Sequence, residues 1–198
     1  MKRLITYLFT VTLLAGALSS AMAQNSTPQP SPQTPAAAPP ASATTPAARP
    51  GDVDSIEHII AAVYDVISGP AGERDWDRFR ALYHPDGRLT SSRRNDKGVV
   101  AARTMTPDEY SQRAGEYFLK QGFFESSPAN RIEVFDHIAH VWSTYESRHA
   151  KNEKPFARGI NSFQLIHDGT RWWILSVYWA EEDASHPLPE KYAGTTGK

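Results

Sequence analysis

Four polar side chains form the best candidate for a small-molecule site: Tyr64, Asn161, Ser176 and Tyr178. Three of them belong to one predicted β-hairpin, and Tyr64 comes from a helical stripe that must cover it. An apolar wall with a few convergent polar groups is the usual makeup of a small-molecule pocket. The predicted ligand-binding set is Tyr64, Phe118, Asn161, Phe163, Ser176 and Tyr178. A hydrogen-bonded core network is the alternative interpretation of the same residues.

The hairpin fixes which of these residues share a face. Two runs rich in β-branched and aromatic residues meet at Asp168-Gly169, which predicts a tight two-residue turn. With that turn Asn161 pairs with Ser176 on one face of the hairpin. Alternation alone does not say which face lines the pocket. If it is the opposite face, Ser162 and Gln164 supply the polar groups.

Histidines are the other candidates for chemistry. His84 follows a predicted helix near the expected pocket and could act as a general base. The stretch His84-Pro85-Asp86-Gly87 is also a good helix stop. His137 and His140 are three residues apart on extended chain, so they point to opposite faces and predict no metal site. We expect no cofactor.

The amino terminus predicts export. Lys2 and Arg3 precede an apolar run over residues 4–18, and Ala21-Met22-Ala23 has the small-x-small pattern of a signal peptidase site. We therefore expect a cleaved signal peptide over residues 1–23 and a periplasmic or secreted protein. An uncleaved membrane anchor is the alternative, but the run is shorter than the roughly 20 residues that a spanning helix needs. No stable membrane insertion is expected after cleavage.

The composition of the chain excludes several classes of function. Of 198 residues, 40% are apolar and 22% charged, which suits one soluble domain. Without residues 1–23 the chain has 19 Lys and Arg against 22 Asp and Glu, so it has no basic surplus for nucleic acid. It has no cysteine, which excludes disulfides, thiol chemistry and Cys-ligated metals.

Both ends of the chain are predicted to lie outside the domain. Residues 24–50 hold eight prolines and seven alanines, so residues 24–51 are predicted to be a disordered linker. The linker is either a spacer or an untrimmed export leader. Residues 185–198 are predicted to be a flexible tail.

The remaining chain predicts an α+β domain over residues 52–184. Apolar residues recur at helical spacing from Ile56 to Ile67, a short helix starts at Asp75, and Thr106-Pro107-Asp108-Glu109 predicts a capped third helix. A strand over 88–93 precedes that third helix. Long strands over 131–135, 138–149 and the hairpin are expected to complete a curved antiparallel sheet.

Two segments resemble a known family. The run from Asp75 to Leu89 and the run from Asp168 to Ile174 are similar to the SnoaL-like branch of the nuclear transport factor 2-like (NTF2-like) superfamily. The resemblance covers residues 54–183 and implies a cone-shaped barrel, with three helices packed on one face of a strongly curved, mostly antiparallel sheet. It also implies an enclosed pocket and often a homodimer. Members include isomerases, dehydratases, epoxide hydrolases and cyclases.

The catalytic patterns of that family are not evident here. The steroid-isomerase pattern would require an acidic residue on the strand over residues 89–93, and this strand has none. Asp136 and Asp168 are better explained as turn residues. We therefore expect a pocket for a small, mostly apolar molecule with no catalysis established. The alternative is a cofactor-free acid–base enzyme of isomerase, dehydratase or hydrolase type, and a weaker third is an interaction module. The second apolar hairpin face predicts a homodimer through the sheet.

Overall fold

A computed structural model of the chain describes residues 45–193. The predicted signal peptide and residues 24–44 of the predicted linker lie outside this range. The helices are α1 (Pro50–Val53), α2 (Ile56–Ile67), α3 (Trp76–Ala81) and α4 (Pro107–Phe118), with a 3-10 helix over Glu190–Tyr192. The strands are β1 (Tyr83–Arg94), β2 (Val100–Met105), β3 (Phe124–Phe135), β4 (Ile138–Arg148), β5 (Ala157–His167) and β6 (Trp172–Glu181).

The six strands form one curved sheet in the order β2-β1-β6-β5-β4-β3. All neighbours are antiparallel except β1 and β6, which run parallel. The inner face of the sheet is covered by α2 and by residues from α3 and α4, and the buried apolar residues lie between these layers. This is the α+β cone that the resemblance implied, with a short additional helix, α1, before it.

Local sequence signals set the helix boundaries. Ser55 caps α2 by accepting a hydrogen bond from His58 N, and Asp75 caps α3 by accepting from Arg78 N. Thr106 and Glu109 form a reciprocal capping box at the start of α4, as their spacing predicted.

The end of α2 depends on one arginine. The guanidinium of Arg74 donates to the carbonyl oxygens of Ile67, Gly69 and Gly72 at 2.9, 2.9 and 3.0 Å. It also lies 4.9 Å from the centre of the Phe118 ring. The first bond satisfies a carbonyl that the end of α2 leaves without a partner, and the other two hold the loop that follows the helix. The segment between α2 and α3 is thereby fixed against α4.

The hairpin is longer at its turn than predicted, and the predicted register is wrong. Residues 168–171 form a four-residue loop, in which Asp168 Oδ1 accepts from the backbone N of Thr170 and of Arg171 at 2.8 and 3.0 Å. Asp168 Oδ2 accepts from Trp173 Nε1 at 2.6 Å. The Thr170 hydroxyl, which donates to Asp168 Oδ1 at 2.6 Å, together with these donors holds the pKa of Asp168 well below its usual range. His167 therefore pairs with Trp172.

A bulge in β6 then changes which side chains of this strand point to each face of the sheet. The register shifts by one residue at Leu175, so Leu165 pairs with Ile174 but Gln164 pairs with Ser176. A one-residue shift moves every later side chain to the opposite face. Asn161 pairs with Trp179 and not with Ser176.

Two other strands start earlier than the sequence predicted. The predicted helix stop at 84–87 is the first part of β1, which begins at Tyr83. Strand β3 begins at Phe124 and not at Arg131, with a register shift between Ser126 and Ala129. The shift coincides with Pro128 on the edge strand, a position where proline is tolerated. Residues 124–130, which precede the strand predicted over 131–135, are therefore part of the sheet.

Candidate functional site

The inner face of the cone encloses a cavity of about 210 Å³. Ligand pockets for drug-sized molecules typically measure about 300–1,000 Å³, so this one suits a smaller molecule. Its wall is mostly apolar and aromatic, with contributions from α2, α3, α4 and five strands. Arg93, Phe156 and Glu181 are exposed members of the lining, so they mark the opening. Phe79 and Tyr83 are fully buried and lie deep in the cone.

Strand β3 contributes a carboxyl group to this wall, Glu125. Ser147 Oγ donates to Glu125 Oε2 at 2.6 Å, and Asn161 Nδ2 lies 3.4 Å from Glu125 Oε1. Among residues 45–193 no Lys, Arg or His forms an ion pair with it. Burial raises the pKa of Glu125 to about 7, against the opposing effect of its two hydrogen bonds. Near neutral pH it therefore exists in both the acid and the carboxylate forms.

A chain of hydroxyl groups runs from the cavity into the wall. Ser127 Oγ donates to Asn130 Oδ1 at 2.9 Å, which uses its single proton. Ser143 must then donate to Ser127 at 3.0 Å, and Tyr64 must donate to Ser143 at 2.6 Å. Asn161 Nδ2 donates to the Tyr64 oxygen at 3.0 Å. The proton of the Tyr64 hydroxyl is thus committed to the wall, and Tyr64 positions Asn161.

Three other tyrosines have uncommitted hydroxyl groups. Tyr83, Tyr110 and Tyr145 line the cavity, and their hydroxyls form no hydrogen bond to any residue from 45 to 193. Burial, and to a lesser extent the charge of Glu125, raises the pKa of all three. They remain neutral phenols at physiological pH. They can therefore donate hydrogen bonds to an oxygen that gains negative charge.

Half of the predicted ligand-binding set lines this cavity. Tyr64, Asn161 and Phe163 lie in its wall, so the inner face carries Asn161. Ser176 and Tyr178 lie on the outer face of the sheet, because the bulge in β6 reverses their direction. Ser162 and Gln164, the alternative polar pair, also lie on the outer face.

Phe118 and His84 lie outside the cavity. Phe118 is buried behind the wall, with its ring 4.9 Å from that of Phe123 and 6.0 Å from that of Trp76. His84 lines a separate groove with Thr106 and Asp108, and buried Tyr83 separates this groove from the cone. The His84 ring lies 6.0 Å from Trp173 and accepts from the backbone N of Asp86. In this position His84 cannot act on a molecule in the cone.

Residues 45–193 contain neither a cluster of metal-ligating side chains nor a membrane-spanning helix. No group of three or more His, Asp or Glu is arranged to hold a metal ion in this range. No helix in the same range is long and apolar enough to cross a membrane.

Glu125 was not among the predicted site residues because the predicted strand begins at residue 131 and β3 begins at Phe124. The run Ser126-Ser127-Pro128 predicts a turn, so the first half of β3 was not predicted to be a strand. The sequence has no alternating signal at this point, because Phe123 and Phe124 are both apolar and Ser126 and Ser127 are both polar.

Comparison with known proteins bears on the fold. No protein-family model matches the sequence, and no curated protein matches it significantly. Among solved structures, a cystatin-like-fold protein of unknown function from Nostoc punctiforme PCC 73102 has a TM-score of 0.50 and 15% identity, over 68% of this chain and 92% of that one. The cone fold implied by the NTF2-like resemblance is thus confirmed.

Two other solved structures are similar at lower TM-scores. A candidate dehydratase of the NTF2-like family from Streptomyces avermitilis has a TM-score of 0.49 and 12% identity, over 65% of this chain and 94% of that one. An NTF2-like protein of unknown function from Methylobacillus flagellatus KT has a TM-score of 0.44 and 14% identity, over 65% of this chain and 95% of that one. Identities this low concern the fold alone, and the SnoaL-like branch stays a prediction.

Proposed function

We propose that the cone is a cofactor-free acid–base active site for a small, mostly apolar molecule. One observation carries this proposal: Glu125, with a pKa raised to about 7, lies in the cavity beside three tyrosines with free hydroxyls. A general base works best when its pKa is close to the working pH. Perturbed carboxyl groups in enclosed cavities are characteristic of functional sites.

The residues suggest a proton transfer next to a carbonyl group. The Glu125 carboxylate would remove a proton from the carbon between a carbonyl group and a C=C bond. The electron pair of the broken C–H bond would form a new C=C bond to the carbonyl carbon, and the π pair of the carbonyl group would move onto its oxygen. Hydroxyls of Tyr83, Tyr110 or Tyr145 would stabilise that oxygen by hydrogen bonds. Return of the proton from Glu125 to the far carbon of the original C=C bond restores the carbonyl group, shifts the double bond and needs no further reactant. The apolar wall supports the preference for an apolar substrate.

A general proton-abstraction probe tests this proposal in the full chain. In 5-nitrobenzisoxazole, a base removes one C–H proton while the N–O bond breaks, and the product phenolate is coloured. We expect the protein to accelerate this opening and the rate to rise with pH through about 7, because only the carboxylate accepts a proton. Glu125→Gln should lower the protein-dependent rate by about 100-fold or more.

A matched control lies on the same strand. Glu133 is an exposed carboxylate of β3 that pairs with Arg131, so Glu133→Gln should leave the rate unchanged. Equal rates for Glu125→Gln and the unmodified chain would contradict the proposal. Tight binding of the probe without any acceleration would instead support a binding pocket without catalysis, which the apolar lining also favours.

Export is a separate part of the proposal. The basic and apolar segments of residues 1–18 and the Ala21-Met22-Ala23 pattern support a periplasmic or secreted protein. Mass spectrometry of the protein made in cells should find Gln24 at the amino terminus. A chain that retains Met1 would contradict cleavage.

A further inference from the structure

Strand β3, which carries Glu125, is an edge strand. Within residues 45–193 it is the last strand of the sheet, so one side of its backbone has no strand beside it. An edge strand lacks one of the two rows of hydrogen bonds that hold a central strand. A catalytic base on such a strand needs a further support, because a misplacement of about 1 Å is enough to slow a reaction.

The turn after α2 supplies that support. We call Ser68 and Gly69 the edge turn. Gly69 and Phe123 form an antiparallel bridge, in which Gly69 N donates to Phe123 O at 2.7 Å and Phe123 N donates to Gly69 O at 3.0 Å. Two residues further along β3, Glu125 N donates to Ser68 Oγ at 2.9 Å. The edge turn thus pairs with the open side of β3 at the residue that carries the carboxyl group.

The Ser68 hydroxyl also binds α2. Its single proton has the carbonyl oxygen of Tyr64 as the nearest acceptor, at 2.7 Å, and the carbonyl oxygen of Glu125 lies at 3.2 Å. One hydroxyl therefore links the last turn of the helix to the backbone of Glu125.

A second route connects Tyr64 to the same residue. The Tyr64 hydroxyl accepts from Asn161 Nδ2 at 3.0 Å, and Asn161 Nδ2 lies 3.4 Å from Glu125 Oε1. Together with Ser68, this route closes a ring of contacts between α2, β3 and β5. The ring holds Glu125 both at its backbone and at its carboxyl group.

Arg74 holds the edge turn itself. Its guanidinium donates to the carbonyl oxygens on both sides of Ser68, those of Ile67 and Gly69, each at 2.9 Å. A Cβ atom added at Gly69 would lie 3.1 Å from the guanidinium carbon, so the arginine packs closely on the turn. The edge turn is therefore a fixed support for β3.

We infer that Ser68 is a positioning residue for Glu125: its hydroxyl fixes the backbone of the base against α2, and so fixes where the carboxyl group lies relative to the tyrosine hydroxyls of the cavity. The inference rests on the proposed function, in which Glu125 is the base. Without the Ser68 hydroxyl, Glu125 N loses its acceptor and the start of β3 separates from the edge turn. Water then reaches the carboxyl group, and the base is both misplaced and easier to ionise.

Ser68→Ala tests the inference in the full chain. With the 5-nitrobenzisoxazole probe we expect kcat to fall by about 10-fold and KM to change little, because the apolar wall that binds the probe is intact. The titration midpoint of Glu125, followed by the NMR shift of its carboxyl carbon, should move from about 7 towards 4.5, because water stabilises the carboxylate. Ser68→Thr keeps the hydroxyl on an extended residue, so it should restore both values.

A matched control lies at the other end of α2. The Ser55 hydroxyl also accepts from a backbone N–H, that of His58, at 3.2 Å. Ser55→Ala should therefore destabilise the chain without changing kcat or the titration of Glu125. If Ser55→Ala and Ser68→Ala change both quantities alike, Ser68 acts only through general stability and the inference is overturned. A titration midpoint that stays the same in Ser68→Ala would also overturn it.

The proposed function and this inference can fail separately. If the unmodified chain does not accelerate the opening of the probe, the proposed function is wrong, and the titration of Glu125 in Ser68→Ala still decides the inference. If Glu125→Gln abolishes the acceleration but Ser68→Ala changes neither the rate nor the titration, only the inference is wrong. Where Ser68→Ala does not fold, Ser68→Cys keeps the shape of the side chain with a weaker acceptor. It should lower the titration midpoint in the same direction, and an unchanged midpoint would overturn the inference.

Discussion

At Glu125 a carboxyl group lies in the cavity without a cationic partner among residues 45–193, so its ionisation costs free energy in the folded chain. Ser147 and Asn161 reduce this cost by donating to the two carboxylate oxygens. The folded chain thus favours the protonated form more than the unfolded chain does. This coupling makes stability depend on pH.

Glu125→Gln should remove that dependence. In the unmodified chain the stabilising effect of the raised pKa is fully present below about 4.5 and is lost as the pH rises through about 7. Between pH 4.5 and 9, the free energy of unfolding should therefore fall by up to about 3 kcal/mol more than in Glu125→Gln. Urea unfolding at both pH values measures this. Equal pH dependence in the two proteins would contradict the raised pKa, and Glu133→Gln is the matched control.

At the scale of single elements, strand β5 has one position where only glycine fits. A Cβ atom at Gly159 would lie 2.1 Å from the carbonyl oxygen of Ala180 and 2.7 Å from the ring and hydroxyl of Tyr145. The missing side chain lets β5 and β6 pair closely and lets the Tyr145 ring lie across the strand. Gly159 therefore positions one of the three free hydroxyls of the cavity.

Gly159→Ala should destabilise the chain by about 3 kcal/mol, because the backbone of β6 must move to relieve the contact. It should also slow the opening of the benzisoxazole probe by displacing Tyr145. The control is Gly51→Ala in α1, where the added Cβ meets nothing within 4 Å. Unfolding curves that coincide for Gly159→Ala and the unmodified chain would show that the strands can separate without cost.

The elements also show what the sequence could predict. The capping box at Thr106 and the apolar stripe of α2 depend on neighbours in sequence, so local rules placed both helices correctly. A bulge at Leu175 decides which side chains of β6 point into the cone, and no local sequence pattern predicts that bulge. Asn161 was therefore placed correctly while Ser176 was not. The early part of β3 was missed because Pro128 is compatible with a strand only at an edge, and strand order is a property of the whole sheet.

At the scale of the whole molecule, the two faces of one sheet differ in their surroundings. The inner face meets α2 and encloses the cavity, whereas the outer face has large exposed side chains at Phe135, Ile138 and Tyr178. Apolar side chains grouped on one face mark an interaction surface more often than they remain in water. The residues predicted to face the pocket and found outside it, Ser176 and Tyr178, belong to this surface.

We therefore predict a homodimer through the outer face, in an equilibrium that shifts with concentration. Light scattering on a dilution series of the full chain should give a mass that rises from that of one chain towards twice that value. Tyr178 is 48% exposed on the outer face. Tyr178→Glu should hold the mass at one chain, since it would bury a charge in the predicted contact. Leu119→Glu is the control, because Leu119 is 55% exposed and follows α4 on the helical side of the cone. A mass of one chain at every concentration would contradict the predicted homodimer. Loss of association in both variants would show that the contact is not confined to the outer face.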